Sequence, residues 1–180
     1  MEDISLHILD IAENSIDAGA TLIKITITED TNRDLLSVEI KDNGRGIPAD
    51  LIEEVLNPFY TTRRTRKIGL GLSLLVQSAR ETGGDLLLQS EENRGTVVTA
   101  HFIPSHIDMK PLGSIADTIL VLVAGTPEID FVFIHERNGN TYSLDTRSIK
   151  ADLDGVPINA PSVLSALKKY LCESLDEIRK

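Results

Sequence analysis

The stretch ILDIAENSIDAGA, residues 8–20, combines the apolar stripe of an amphipathic helix with an unusual row of polar side chains. The row consists of Asp10, Glu13, Asn14 and Asp17. This spacing of i, i+3, i+4 and i+7 places carboxylates and an amide on a single helical face. Like charges four residues apart destabilise an isolated helix by about 0.2–0.5 kcal/mol per pair. The row is therefore either a solvated acidic face or a site that a divalent cation neutralises.

The composition is that of a globular protein with a strongly acidic balance. The chain has 180 residues, 41% of them hydrophobic and 26% charged, and its net charge is −10. Such a charge argues against an extended nucleic-acid surface and against binding to an anionic membrane. The single cysteine, Cys172, excludes an internal disulfide and is consistent with a reducing cytoplasm.

The hydrophobic segments predict neither a membrane span nor an export signal. The longest apolar run, ILVLVAG at 119–125, is too short to cross a bilayer. The N-terminal residues, MEDISLHILD, are acidic and lack the basic region of a secretory signal. We therefore expect a cytoplasmic protein.

Hydrophobic periodicity predicts an ordered series of helices and strands. Alternation of apolar and polar residues predicts strands at about 21–28, 36–41, 85–90 and 96–103. Helices are predicted up to Gly19, at 49–56 and at 70–82. The segment between the last two helices has no clean period and predicts a loop.

After about residue 104 the pattern changes. The sequence predicts a helix at 112–124, strands at 129–136 and 140–145, and a last helix that begins near Pro161. The last helix carries a stripe of Leu164, Leu167, Leu171, Leu175 and Ile178. We expect two domains, at 1–104 and 105–180, the second a small α-β-β-α unit. We also expect the stripe to pack on the hairpin of this unit rather than on a partner or a second copy.

The segment DNGRGIP, residues 42–48, follows the second predicted strand. A carboxylate at a strand end, followed by two glycines, places an acceptor beside a backbone that a ligand can approach closely. Asp42 can thus accept a hydrogen bond from an exocyclic amine such as that of adenine. Taken alone, the same residues also fit an ordinary strand-to-helix turn.

The segment RRTRKIGLGLSL, residues 63–74, concentrates positive charge in an acidic protein. Arg63, Arg64, Arg66 and Lys67 precede a glycine-rich turn that opens a helix. Exposed backbone N–H groups at such a helix start, together with the helix dipole, form an anion site. The basic side chains can add charge-assisted contacts to phosphate. A solvated basic loop beside a glycine-rich turn is the alternative.

The polar row of the first helix adds the remaining groups of a nucleotide site. The Asn14 amide oxygen can ligate Mg²⁺, a hard ion that also binds triphosphate oxygens. Asp10, one turn earlier, can orient or deprotonate an attacking water. An amine acceptor, a phosphate-binding turn and a metal-binding amide therefore occur within about 100 residues, the size of one domain. Together they predict a purine-nucleotide site.

These segments resemble the sequence boxes of the GHKL superfamily, which includes DNA gyrase, heat-shock chaperone ATPases, sensor histidine kinases and MutL mismatch-repair ATPases. The matching segments are ENSIDAGA for the N box, DNGRGIP for the G1 box, NPFYTTR for the F box, GLGLSL for the G2 box and GTVVTAHFIP for the closing strand. The resemblance covers about residues 3–104. It implies a Bergerat-type α/β sandwich, in which a mixed, mostly antiparallel sheet carries helices on one face.

The resemblance also implies roles for individual residues. Asn14 would hold Mg²⁺, Asp42 would bind the adenine amine with support from Thr96, and Asp10 would act on water. The implied cofactors are ATP and Mg²⁺. The further residues implied in cofactor binding are Asp17, Gly44, Gly46, Ile47, Arg63, Arg64, Lys67, Gly69, Leu70, Gly71 and Leu72.

Three features distinguish this chain within the superfamily. Hydrolysing members carry Glu at the position of Asp10, so the carboxylate is kept but is shorter by one methylene group. Asp17 resembles the gyrase-like ATPases, because histidine kinases often carry Lys there. The lid implied for residues 57–68, in contrast, contains the PFYTT of the kinases. It precedes Gly69 and Gly71, whose backbone amides would bind the phosphates.

Three functions are compatible with this mixture of features. The first is a kinase that transfers the γ-phosphate of Mg·ATP to a separate partner protein, because we expect no acceptor-bearing helical hairpin before the N box. The second is an ATP-hydrolysing switch that depends on Asp10. The third is a non-catalytic module in which ATP orders the lid for docking of a partner or a second copy as a homodimer.

The histidines are interpreted as structural residues. His7 shares the helical face of Asp10, but a partly buried polar role is favoured over that of a phosphoacceptor. His101, His106 and His135 lie in strand or loop contexts without the spacing of metal ligands.

Overall fold

The computed structural model describes residues 3–56 and 71–178, and within them helices and strands follow the predicted order. The elements are α1 (Ile4–Asp17), β1 (Leu22–Asp30), β2 (Leu35–Asp42), a 3₁₀ turn (Ala49–Leu51), α2 (Ile52–Leu56), α3 (Gly71–Glu81), β3 (Asp85–Glu91), β4 (Gly95–Phe102), α4 (Ile115–Gly125), β5 (Asp130–Arg137), β6 (Asn140–Asp145), α5 (Thr146–Asp152) and α6 (Pro161–Ile178). Among them, α5 is an element that the periodicity did not predict.

The strands form one mixed sheet in the order β3-β4-β2-β1-β5-β6. The pairs β3–β4, β4–β2, β2–β1 and β5–β6 are antiparallel, whereas β1 and β5 run parallel. The predicted fold class, a mixed and mostly antiparallel sheet with helices, is therefore confirmed. None of the helices in the described ranges combines the length and apolarity needed to cross a membrane.

The register of the sheet decides which side chains face the helices. Ile23, Ile25 and Ile27 of β1 are buried under the helices, and the alternate residues of the strand lie on the more open face. Ile23 lies directly opposite Asp42 of β2. Because directly opposed residues share a face of the sheet, Asp42 is placed on the helix-covered side despite its charge.

Helix α1 is fixed at both ends. The Asp3 carboxylate accepts a hydrogen bond from the Leu6 amide at 3.0 Å, as an N-cap residue does. Gly19 follows the helix with a φ of +76°, the left-handed conformation expected of the residue after a C-cap. The first amides of the helix, those of Ile4 and Ser5, donate to the carbonyls of Pro111 and Leu112. The start of α1 is thus held by the segment that precedes α4.

The segment after residue 104 completes this sheet. Strand β5 adds to the free edge of β1, and the Glu29 carboxylate of β1 contacts Nε2 of the buried His135 of β5 at 2.7 Å. The stripe of α6 is buried at Leu167, Leu171, Leu175 and Ile178, and α6 packs on β5, β6 and α4. The expectation that the stripe packs within the chain is confirmed. Whether 1–104 and 105–180 are separate domains stays a prediction.

Candidate nucleotide-binding site

A cavity of about 360 Å³ opens between α1, α3 and the sheet. Its lining residues are Ile11, Asn14, Ser15, Ala18, Asp42, Arg45, Gly46, Ile47, Pro48, Leu51, Leu72, Leu88, Thr96 and Val98. Most of this wall is apolar, and a few polar groups interrupt it, which is the usual character of a small-molecule site. Six of the predicted residues, Asn14, Asp42, Gly46, Ile47, Leu72 and Thr96, meet here from four separate segments.

Asp42 is a buried carboxylate in the lining of the cavity. Asp42 is only 8% exposed, and its carboxylate accepts two hydrogen bonds. The Ser15 hydroxyl donates to Oδ2 at 2.8 Å, and the Gly44 amide donates to Oδ1 at 2.8 Å. A carboxylate offers about four acceptor positions, so two remain for a ligand. The two protein donors orient the carboxylate and offset part of the cost of burying it.

The turn after Asp42 is tied to three neighbours. Asn43 Oδ1 accepts hydrogen bonds from the amides of Thr21 and Leu22 at 2.9 and 3.0 Å, which joins the end of β2 to the start of β1. The Arg45 amide donates to the Ala18 carbonyl, and the Asn93 amide donates to the Arg45 carbonyl. These bonds hold the DNGRGIP turn between the end of α1 and the β3–β4 turn.

Gly46 is required by close packing. Its φ is +68°, and a Cβ added there would lie 2.1 Å from the carbonyl oxygen of Glu91. No side chain can occupy that position without moving the β3–β4 turn. The glycine therefore allows the turn to lie against the hairpin that carries Thr96.

Thr96 belongs to a hydrogen-bonded cluster on β4, the strand that pairs with β2 next to Asp42. Its hydroxyl lies 2.9 Å from that of Ser90, which also accepts from the Ile47 amide at 2.8 Å and donates to the Gly95 carbonyl at 3.0 Å. Ser90 thus connects β3, the start of β4 and the turn that follows β2.

Asn14 fits the role of a metal ligand. Its side chain lines the cavity, and its amide makes no hydrogen bond to another side chain within residues 3–56 and 71–178. Those same residues hold no cluster of three or more His, Cys, Asp or Glu suited to a metal. A single amide oxygen suits Mg²⁺, which takes few protein ligands when phosphates and water supply the others.

Asp10 lies at the start of α3. A Cβ added to Gly71 would lie 2.9 Å from Asp10 Cβ and 3.0 Å from Asp10 Oδ2, so the carboxylate rests against the first residue of that helix. The glycine permits this approach. The side chain of Asp10 therefore lies beside the helix end at which an anionic ligand would bind.

Some predicted residues do not reach the cavity or are outside the described residues. Asp17 is exposed and does not line the cavity, and its role in binding remains a prediction. Gly44 acts through its amide on Asp42 rather than on the cavity wall. The predicted residues Arg63, Arg64, Lys67, Gly69 and Leu70, together with Arg66 and the implied lid, lie outside the described residues.

Sequence reasoning missed Ser15 and Ser90. Ser15 lies on the buried stripe of α1, four residues after Ile11, and a hydroxyl at an apolar stripe position was a signal that its partner is internal. Ser90 ends an alternating strand and carries no comparable signal. Its partners lie on the following strand and on a distant turn.

Comparison with known proteins agrees with this geometry. The family model described as "Histidine kinase-, DNA gyrase B-, and HSP90-like ATPase" matches residues 2–106. The sensor kinase CckA of Brucella abortus is 40% identical over 78 residues, which are 43% of this chain and 8% of CckA. The sensor histidine kinase WalK of Bacillus subtilis is 36% identical over 90 residues, which are 47% of this chain and 14% of WalK.

Solved structures share the fold at low sequence identity. The N-terminal domain of a DNA repair protein superposes with a TM-score of 0.57 at 18% identity, over 81% of this chain and 53% of that one. The Aquifex aeolicus MutL ATPase domain, solved with ADP, superposes with a TM-score of 0.51 at 18% identity, over 86% and 68% of the two chains. The chain thus spans less than a fifth of the two kinases named above and over half of each superposed structure.

Proposed function

Because the chain belongs to the family of histidine kinase-, DNA gyrase B- and HSP90-like ATPases, we propose that it binds Mg·ATP and transfers the γ-phosphate to a separate partner protein. The observation that carries the binding step is the Asp42 carboxylate. It is buried in the lining of the cavity, with two protein donors and with acceptor positions left over. Only a ligand that brings its own donor, such as an exocyclic amine, pairs with them.

The remaining residues have positions that suit a triphosphate. Asn14 would hold Mg²⁺, which neutralises phosphate charge when bound, and the start of α3 would supply backbone donors. Phosphoryl transfer needs mainly positioning and charge stabilisation, so an ordered nucleotide and a cation account for most of the requirement. The resemblance of the kinase relatives supports transfer to a protein. The predicted basic residues of the lid would add charge to the same site.

Hydrolysis is the second candidate, and the position of Asp10 favours it. Its carboxylate lies against Gly71, at the helix end where the terminal phosphate would bind. A carboxylate at that place can orient or deprotonate a water. The protein would then be a conformational switch rather than a kinase.

A homodimer remains a prediction that size-exclusion chromatography with light scattering can test. A cytoplasmic location remains a prediction that cell fractionation can test.

The decisive experiment follows the labelled γ-phosphate. The protein is incubated with γ-labelled ATP and Mg²⁺, with and without cell extract, beside the Asp42→Ala variant as a binding-deficient control. A labelled partner supports the kinase, free phosphate supports hydrolysis, and tight binding with neither product indicates a non-catalytic module. Binding that is equally strong in Asp42→Ala would overturn the proposed site.

A pair of variants tests Asp10 in the same assay. If Asp10 acts on water, Asp10→Asn should keep ATP binding and lower phosphate release by more than about tenfold. Glu13→Gln, which neutralises an exposed carboxylate of the same helix, should release phosphate at the rate of the unaltered protein. Equal rates in both variants would remove Asp10 from the mechanism.

A further inference from the structure

We propose that Ser90 fixes the hydroxyl proton of Thr96, so that Thr96, like Asp42, presents only acceptors to the base, and that this pair selects a 6-amino purine over a 6-oxo purine. The inference rests on the proposed function and names a residue that determines its nucleotide specificity. Ser90 is a positioning residue here, since it does not line the cavity and acts through Thr96.

The direction of the hydrogen bonds follows from counting protons at Ser90. Its hydroxyl has one proton and two acceptor positions. The Ile47 amide lies 2.8 Å away and can only donate, which occupies one acceptor position. The Gly95 carbonyl lies 3.0 Å away and can only accept, which uses the single proton.

Thr96 must therefore donate in the remaining contact. Its hydroxyl lies 2.9 Å from Ser90 Oγ, and the acceptor position still free on Ser90 takes the Thr96 proton. With its proton committed to Ser90, Thr96 has only lone pairs left for the cavity that it lines. A hydroxyl that could otherwise donate or accept becomes an acceptor.

Asp42, at the end of the neighbouring strand β2, likewise presents acceptors to the cavity. Ser15 donates to its carboxylate at 2.8 Å and Gly44 does so as well, so both neighbouring protons point at Asp42 rather than at a ligand. The polar groups of Asp42 and Thr96 that face the base are therefore acceptors. Ser15 donates its own proton to Asp42, and Ser90 accepts the proton of Thr96, so neither of these two hydroxyl protons is available to the base.

Such a wall discriminates between purines at position 6. Adenine carries an amine there, whose two hydrogens can pair with Asp42 and with Thr96. Hypoxanthine and guanine carry a carbonyl oxygen there, which would face the lone pairs of Asp42 and Thr96. Sites that leave buried polar groups unpaired reject the wrong ligand strongly, by a factor of about 100 or more.

The test compares binding of ADP and IDP, whose bases differ at position 6. Both lack the γ-phosphate, so neither is consumed by phosphate transfer or hydrolysis during the measurement. Isothermal titration calorimetry on the full chain should give an IDP-to-ADP ratio of dissociation constants of at least about 100. Ser90→Ala frees the Thr96 hydroxyl to donate to the carbonyl of the 6-oxo purine, so the ratio of dissociation constants should fall about tenfold. Ser90→Thr keeps the hydroxyl and should restore the ratio.

A coupled variant separates this role from mere stabilisation. If Ser90 acts through Thr96, then adding Ser90→Ala to Thr96→Val should leave the ratio where Thr96→Val alone sets it. A purely structural Ser90 would lower the affinity for both nucleotides together and leave the ratio unchanged in the single variant, which would overturn the inference. Failure of the unaltered protein to bind ADP would instead overturn the proposed function itself.

Discussion

The Ser15 hydroxyl is expected to contribute to the affinity of the cavity for a nucleotide. It is buried on α1 and donates to Asp42 Oδ2 at 2.8 Å, where it orients the carboxylate that would bind the ligand amine. Ser15→Ala should therefore weaken ADP binding about tenfold, because a hydrogen bond to a charged group is lost within the site. Ser143→Ala, on the exposed face of β6, is the control. Equal ADP affinities by calorimetry in the two variants would contradict this role.

His7 predicts how stability changes with pH. The residue is 1% exposed and neither ring nitrogen has a partner within the described chain. Burial, together with the positive charge of Lys110, lowers the pKa of His7 from 6.5 to about 4, with the carboxylate of Asp3 acting in the opposite direction. As the pH falls below 6.5 the unfolded chain binds a proton that the folded chain does not. The free energy of unfolding should therefore decrease between about pH 6.5 and 4, by roughly 3 kcal/mol at most.

Urea unfolding of His7→Leu at a series of pH values measures this contribution. The variant should lose less stability than the unaltered protein as the pH falls from 6.5 to 4, since it has no proton to take up at this position. His101→Leu, which alters an exposed histidine of β4, should keep the original pH dependence. A steep dependence in both variants would assign the acid sensitivity to other groups.

At this scale the sequence predicted residues that line the cavity better than residues that act through another side chain. Asp42, Asn14 and Thr96 are part of motifs with local spacing, and the structure brings all three to one cavity. Ser15 and Ser90 act through contacts with residues on other elements, and no pattern along the chain reports those contacts. The direction of the Thr96 hydroxyl depends on three such contacts at once.

Among the elements, α6 depends most directly on its apolar stripe. Leu171 lies at the middle of the helix and is 0% exposed. Leu171→Ala should lower the free energy of unfolding by about 2–5 kcal/mol, because it removes buried methyl groups and leaves a cavity. The neighbouring Cys172 is exposed, so Cys172→Ala should change the free energy of unfolding by less than about 0.5 kcal/mol. Similar denaturation midpoints for the two variants would mean that the stripe is not the main contact of α6.

Helices and strands were predictable where the periodic pattern of apolar residues extends over enough positions to be recognised. Helices α1, α3, α4 and α6 and the strands carry such periods, and their observed limits lie close to the predicted ones. Helix α5 is only seven residues long and has one buried residue, Thr146. It is held instead by Asp145, which accepts from the Arg147 amide, and by Lys150, whose ammonium group contacts Asp130 at 2.7 Å. Such polar contacts leave no periodic signal.

The whole molecule depends on a pairing that the sequence did not predict. Strands β1 and β5 are about a hundred residues apart along the chain and pair in parallel, and such long-range pairing is specified by packing rather than by local pattern. The same region is joined by the contact of Glu29 with His135 and by the amides of Ile4 and Ser5 on the segment before α4. The part of the chain that lines the cavity therefore shares its sheet with the part that follows it, and its first helix is hydrogen-bonded to that part.

Truncation tests how far the two parts depend on each other. A fragment of residues 1–104 would expose the edge of β1, uncover its buried isoleucines and free the first amides of α1, so we expect it to lose cooperative thermal unfolding or to aggregate. A fragment of residues 1–160 keeps β5 and β6 and loses only α6, and it should melt cooperatively at a lower temperature than the full chain. Differential scanning calorimetry with and without ADP compares the three proteins. The contrary result is a fragment 1–104 that melts at the temperature of the full chain and shows the same increase in melting temperature with ADP. The segment after residue 104 would then be a separate domain, because β5 would contribute nothing to the stability of the site.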